Sequence, residues 1–568
     1  MSRTKVSSRT IALVVVLELV VGACIWFSHS PSASAQPAPA AATAGVPTGS
    51  AVTATPPPAG TPATTIAPAD APVAKDQCPK PPKKPHAKKP LADDLIPIAI
   101  LIAVITLVLW RLPKVELGHT AAFKSRRLLN WLPLGLTYSF LYFARYNIKA
   151  FQGAGLTESE YGTVFGIGSA VYGLAFLLNG PLTDRWGGRA TILIAAGGAG
   201  LANLWMGYMA ATHNTMGLSV PTAFTLAFAL NMYFQSFGAV SIVKVNAAWF
   251  HVRERGTFGG IFGILISLGL YFAFDVIGRI KEHFAIQWIF LAPAMILFVF
   301  FVLSFVFVRN NPSEANHTDF DLGDATSKDD PDAEKLVFSK WLGQIGVVLK
   351  KLLSHPVILT IAFIELCSGF LRQAILQWGP DFGKGVGISD SFVFQNWGMV
   401  SCIAGITGGM FAGAVSDHLF QSRRSPVSGV LYGIMLVGSI LILIMFRAPM
   451  AIGWLIAFMS MAIIGVHGML TATASADFAG KKNTGVAVGL IDGFVYLGST
   501  AQSFIYGSAL PASKIRDAAG CLVTNPAAGK VDNWSVWPYA MMPIALIGFI
   551  LTLRIWNAKP RPGGGGGH

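Results

Sequence analysis

Charge is what this chain has least of. Only 12% of its 568 residues are Asp, Glu, Lys or Arg, against 53% hydrophobic ones. A mean hydropathy of +0.55 excludes a soluble core of that length and indicates an all-α, polytopic membrane protein. Acidic residues are the scarcer sign, 28 against 42 basic, which leaves a net charge of +14. In a soluble protein that surplus suggests nucleic acid; here it reads as loops rich in Lys and Arg on the cytoplasmic side, and no nucleic-acid partner is expected. The five cysteines show no CxxC pair and no metal-ligand spacing, so neither a disulfide framework nor a metal site is indicated. One Cys78–Cys521 bridge outside the membrane remains open. No Walker lysine loop, HExxH or nucleophile elbow occurs, so no enzyme and no cofactor is expected. Runs such as "AAGGAGLANLWMG" lack nucleotide-loop spacing and serve close helix packing.

What is present begins with a targeting segment. Arg3, Lys5 and Arg9 precede "IALVVVLELVVGA", and "SASAQ" offers small residues for cleavage, so residues 1–35 read as a signal peptide or N-terminal anchor. Residues 36–92 are dominated by Pro, Ala and Thr, cannot bury a core, and read as a disordered extracytoplasmic tether. An extra transmembrane helix is expected over 93–112 and a basic cytoplasmic linker over 113–128. Twelve further apolar segments of about 20 residues each, the length that crosses the hydrocarbon, fall into a six-helix bundle over 129–309 and a second over 354–558. The polar loop 310–353 separates them, and 559–568 is a cytoplasmic tail. Arg185 and Arg189, with the basic pairs after the fourth, eighth and tenth segments, place those loops in the cytoplasm.

"GPLTDRWGGR" (residues 180–189) after the second segment is matched by "GAVSDHLFQSRR" (residues 413–424) after the eighth. Asp184, Arg185, Arg189 and Asp417 are the candidate conformational-gate residues of these loops. Such duplication marks carriers that rock two halves about a central site. Each half also carries an intramembrane arginine, Arg145 in "LYFARYNIKAF" and Arg372 in "GFLRQAILQWGP". At a helix centre each costs roughly 2.5 to 3.5 kcal/mol on insertion scales, so both are expected to face the cavity between the halves. At about 8 Å and an effective dielectric near 20, two such charges repel by about 2 kcal/mol, and a bound anion reverses the sign. The alternative pairs them with Glu365 or Asp492 in a structural role.

At these residues the chain resembles the organophosphate:phosphate antiporter family of the major facilitator superfamily. The likeness runs over roughly residues 129–556, through "YFARYNIKAF", "YGLAFLLNGPLTDRWGGR", "FQSFGAVSIVKVNAAWFHVRERG", "LRQAILQWGP", "GAVSDHLF" and "IGVHGMLTATASADFAGKKNTGVAVGLIDGFVYLGS". It implies two six-helix bundles around a central cavity, with Arg145 and Arg372 on the substrate's phosphate. It also implies a bacterial inner-membrane carrier that exchanges a sugar phosphate or glycerol phosphate for inorganic phosphate by alternating access. The chain departs from the family at Phe176, where a helix-2 lysine is usual, at Ile266, where glycerol-phosphate carriers have a histidine, and at Gln377 and Cys402, which stand for acids. These departures keep a proton-coupled carboxylate or sugar-acid carrier open, and a transporter-like sugar-phosphate sensor is a further alternative. The expected partners are the small anion, its counter-ion (phosphate or a proton) and the bilayer, with a monomer as the simplest state.

Around the arginines, Tyr142 and Lys149 are candidate substrate contacts. Tyr142 reads equally as a packed ring, and Lys149 equally as a snorkelling side chain. Lys244, Glu365, His467 and Asp492 are candidate coupling or ion-pair residues, with Lys244 in interfacial support.

Overall fold

The computed structural model describes residues 91–111, 117–251, 254–320, 338–420, 424–447, 449–470, 484–517 and 521–557. The targeting segment, almost all of the tether and the C-terminal tail lie outside the described residues. Asp517 and Cys521 belong to a unit separate from the helical body; the Cys521 amide donates to Asp517 Oδ1 at 2.8 Å, and Cys521 is disulfide-bonded. Cys78, its expected partner, lies outside the described residues.

The helical body opens with α1 (Leu91–Arg111). It continues with α2 (Ala121–Tyr146), α3 (Glu158–Trp186), α4 (Gly188–Thr212), α5 (Val220–Trp249), α6 (Arg255–Tyr271) and α7 (Trp288–Phe307). After the amphipathic α8 (Phe338–Leu353) come α9 (Pro356–Gly385), α10 (Trp397–Leu419), α11 (Arg424–Ile444), α12 (Pro449–Met469), α13 (Thr484–Ala509) and α14 (Val536–Arg554). Between α13 and α14 a two-stranded antiparallel hairpin, β1 (Lys514–Arg516) and β2 (Leu522–Thr524), pairs Ile515 with Val523. Nine helices among the described residues are long and apolar enough to cross a membrane; α1 and α10 contribute shorter apolar stretches.

Local chemistry explains the boundaries. The Thr120 hydroxyl accepts from the Phe123 amide and starts α2 at Ala121, inside the stretch read as a linker. Thr157 and Glu160 form a complete capping box at the head of α3. Gly187, at φ +81°, makes the turn of "DRWGGR" that an L side chain resists. At the other end of that body, α6 passes through a π turn (Phe272–Val276) before the short helix Ile277–His283. The turn carries Asp275, whose carboxylate accepts from the Gly398 amide at 2.7 Å and the Met399 amide at 2.8 Å. The α10 N-terminus has no cap from its own Asn396 side chain, so the first half caps a helix of the second.

The two halves meet along two helix pairs, α3 with α13 and α6 with α10. Small residues bring the first pair into backbone contact. A Cβ on Gly162 would lie 2.7 Å from Gly507 Cα, and one on Gly173 would lie 2.9 Å from Gly493 O.

Candidate functional site

Arg145 lies one residue before the end of α2, fully buried. Its Nε donates to Gln235 Oε1 at 2.9 Å, and Nη1 donates to the Tyr496 hydroxyl at 2.6 Å, so the guanidinium is held by α5 of its own half and α13 of the other. The guanidinium lies 4.6 Å from the Tyr142 and Tyr172 ring centroids and 5.8 Å from that of Tyr496, within cation–π range of all three. Nη2 is buried and has no hydrogen-bond partner among the described residues. Among the described residues no carboxylate pairs with it.

A relay of amides fixes this geometry. Asn147 Nδ2 donates to Asn203 Oδ1 at 2.7 Å, Asn203 Nδ2 to Asn231 Oδ1 at 3.1 Å, and Gln235 Nε2 to the same oxygen at 3.0 Å. Gln235 is thereby obliged to present its carbonyl, an acceptor, to the arginine.

Arg372, on α9, stands within electrostatic reach of Tyr146, Tyr496, Tyr142 and Glu365. Its Nε is buried and has no hydrogen-bond partner among the described residues. Both arginines therefore converge on the tyrosines of α2 and α13. Gln373 Nε2 donates to the Tyr146 hydroxyl at 2.9 Å and ties α9 to α2 beside them. Five donors in a planar fork, partly unspent in a site with few acceptors, suit a bidentate oxyanion.

The remaining sequence candidates separate into other groups. Lys149 sits in the one-turn helix Ile148–Phe151 after α2 and reaches across to Asp381 Oδ2 of α9 at 2.5 Å, with Gln152 Nε2 on the same oxygen at 3.0 Å. Its ammonium lies 4.5 Å from the Tyr161 ring and 4.8 Å from that of Trp378. It is thus engaged in an ion pair between the halves and does not snorkel. Glu365 (α9) accepts or shares a proton with His467 Nδ1 (α12) at 3.0 Å, and Asp492 lies on α13 within electrostatic reach of His467 and Tyr172. Lys244 pairs with Asp184 at 3.1 Å on a half-exposed surface far along α3 and α5 from the arginines. Arg189 Nη2 donates to Phe305 O at 2.8 Å, Arg185 is exposed, and Asp417 falls in the last turns of α10. Sequence reasoning missed Gln235, Tyr172, Tyr496, Asp275 and Asp381. Tyr496 stands four residues after Asp492, on the same helix face, and Asp381 directly follows the Trp-x-Pro of α9.

A multi-pass helical body in two halves, with cationic side chains at their contact, defines a membrane carrier fold. The chain belongs to the Major Facilitator Superfamily, whose family profile matches residues 128–502. It is 26% identical over 417 residues to the glycerol-3-phosphate transporter of Bacillus subtilis, covering 67% of this chain and 85% of that one. It is 24% identical over 398 residues to the membrane sensor protein UhpC of Salmonella typhimurium, covering 66% of this chain and 83% of that one. Among solved structures, a bacterial homologue of the human lysosomal transporter Spinster, inward-facing and unoccupied, superposes with a TM-score of 0.56 at 12% identity. That match covers 78% of this chain and all of the other, and it establishes the shared fold. The relatives match the organophosphate:phosphate antiporter family, and the family is one of transporters, not enzymes.

Proposed function

We propose that the chain carries a small organic anion, a glycerol phosphate or sugar phosphate, across the bacterial inner membrane in exchange for inorganic phosphate. The carrying observation is the buried Arg145, which has an unpartnered Nη2, tyrosines in place of a carboxylate, and Arg372 of the other half in the same tyrosine cluster. An anion between the forks supplies the missing acceptor and offsets the repulsion between two like charges. Both forks reach it only when the halves are together, and this is the differential contact that alternating access requires. The glycerol-3-phosphate relative favours the phosphate ester as cargo. In this reading Tyr142 lines the site, and the end carrying Asp184, Arg185, Arg189 and Asp417 is cytoplasmic.

Proteoliposomes loaded with inorganic phosphate test the proposal. External labelled glycerol 3-phosphate is expected to enter by counterflow, and Arg145→Lys or Arg372→Lys to weaken its binding by about 10 to 100-fold, the loss of one bidentate charge-assisted contact. Uptake insensitive to internal phosphate overturns the exchange. The relative that is a membrane sensor supports a second reading, in which the same site binds its anion without moving it; binding with no counterflow in reconstituted protein is its signature.

A further inference from the structure

The two arginines sit in unequal surroundings. Among the described residues Arg145 has only amides and tyrosines as partners, whereas Arg372 lies within electrostatic reach of Glu365. Glu365 is completely buried. One of its oxygens lies 3.0 Å from His467 Nδ1; among the described residues the other has no hydrogen bond of normal geometry, and Ser368 stands beside the carboxyl. Glu365 and Arg372 stand seven positions apart on α9, two helical turns, which puts both on one face.

We propose that Glu365 and His467 form a proton-binding site that takes up one proton together with the anion, so that cargo and proton bind cooperatively. This rests on the anion-carrier reading above. Holding one proton, the pair is neutral overall in either arrangement, carboxylate with imidazolium or carboxylic acid with imidazole. Without that proton it carries −1 beside a fork that the cargo also needs, and the carboxylate competes with the anion for Arg372. Loading the proton removes the competitor. By linkage, an anion on Arg372 must raise the affinity for the proton by the same factor. The proton comes from water on the side where the anion enters and leaves to water with it.

Among the described residues the other titratable groups around the pair are few. They are Arg372 and Cys367 on α9 itself, Tyr432 from α11, whose hydroxyl is committed to Ile364 O at 2.5 Å, and Asp492 from α13 on the His467 side. The 3.0 Å contact between Glu365 Oε2 and His467 Nδ1 is the one through which the two groups can share that proton.

Calorimetric titration of the full-length, detergent-solubilised protein with glycerol 3-phosphate tests this, in pairs of buffers of different ionisation enthalpy at points from roughly pH 5.5 to 8. Wild type is expected to absorb about one proton per anion beyond the probe's own titration, and its affinity to fall by up to about tenfold per pH unit above the pair's transition. Glu365→Gln is expected to bind the probe with that extra proton gone and the slope flattened, whereas His467→Gln keeps the carboxyl but not the base that shares its proton and is expected to move the pH at which the uptake occurs. Wild-type uptake equal to the probe's own titration, equal counts in wild type and folded Glu365→Gln, or a pH profile that His467→Gln leaves unmoved, overturns the proton site and leaves the anion reading intact. Failure of wild type to bind either glycerol 3-phosphate or inorganic phosphate overturns both together.

Discussion

At the scale of single residues, position along the relay decides how much a side chain matters. Gln235 touches Arg145 directly, and Asn231 acts through its neighbours, forcing Gln235 to present its carbonyl and donating to Ala144 O at 3.1 Å on the arginine's own helix. Replacing Asn231 by Leu leaves the Gln235 amide free to flip and point a donor at the guanidinium. A two- to tenfold loss of glycerol 3-phosphate affinity is therefore expected from Asn231→Leu, with Gln235→Leu costing more, read by the same calorimetric titration; equal affinity in Asn231→Leu would separate the relay from the site. The Lys149–Asp381 pair obeys a different rule, because each side chain is buried. Removing one partner strands a charge, at about 3 to 5 kcal/mol, while removing both is far milder. Asp381→Leu alone is thus expected to lower the melting temperature more than the double variant Lys149→Met, Asp381→Leu, and the opposite order in a thermal-shift assay refutes the pairing.

Some of these residues announced themselves in the sequence and some did not. Arg145 and Arg372 stand out because an arginine within an apolar span needs a reason. Tyr172 and Tyr496 do not, since aromatic rings are common in every span and only the fold shows which of them meet at a guanidinium. Lys149 was legible as a cation near a helix end, but its partner lies 232 residues away, a separation that no local pattern encodes.

At the scale of elements, helix packing is set by where side chains are missing. α9 and α13 approach so closely that a Cβ on Gly498 would stand 1.9 Å from Leu366 O, and one on Gly369 the same distance from Val495 O. These two helices carry Arg372, Glu365, Asp492 and Tyr496, so their spacing also sets the site. Gly498→Ala is expected to force them apart and cost about 1 to 3 kcal/mol, visible as a lower melting temperature together with weaker anion binding. Gly433→Ala on α11, where the added Cβ meets only Phe549 at 3.8 Å, is the control and should change neither. The helices themselves were readable from runs of about 20 apolar residues, and the division into two halves from the repeated Asp-containing loops. The boundary at the end of α2, where Asn147 keeps helical dihedrals (φ −56°, ψ −30°) before Ile148–Phe151, was not, because no Gly or Pro marks it. The π turn at Phe272–Val276 was equally hidden, since a one-residue change of helical phase leaves hydropathy untouched.

At the scale of the whole molecule, a band of polar links between the halves lies at the end opposite the Asp184 and Asp417 loops. Lys149 pairs with Asp381, and Asp275 caps α10. Arg516 Nε reaches Glu160 Oε1 at 2.7 Å, Lys514 Nζ donates to Gly153 O at 2.7 Å, and Ser513 bonds Glu158. The proposed alternating-access cycle obliges every one of these links to break once per turnover, since cargo passes that end only when α3 and α13 separate there. No single link is strong enough to hold the halves; exposed pairs such as Arg516–Glu160 contribute about 0 to 1 kcal/mol, so together they form a reversible clasp. A covalent bond in the same place must behave differently. Glu160→Cys with Arg516→Cys, joined by a short cleavable bis-thiosulfonate reagent and verified by mass spectrometry, is expected to abolish glycerol 3-phosphate counterflow. Cleaving the linker should restore counterflow, and the single-cysteine variants carried through the same treatments should transport throughout. Undiminished counterflow in fully linked protein means that the halves do not part at this end, and the rocking mechanism is then wrong for this carrier.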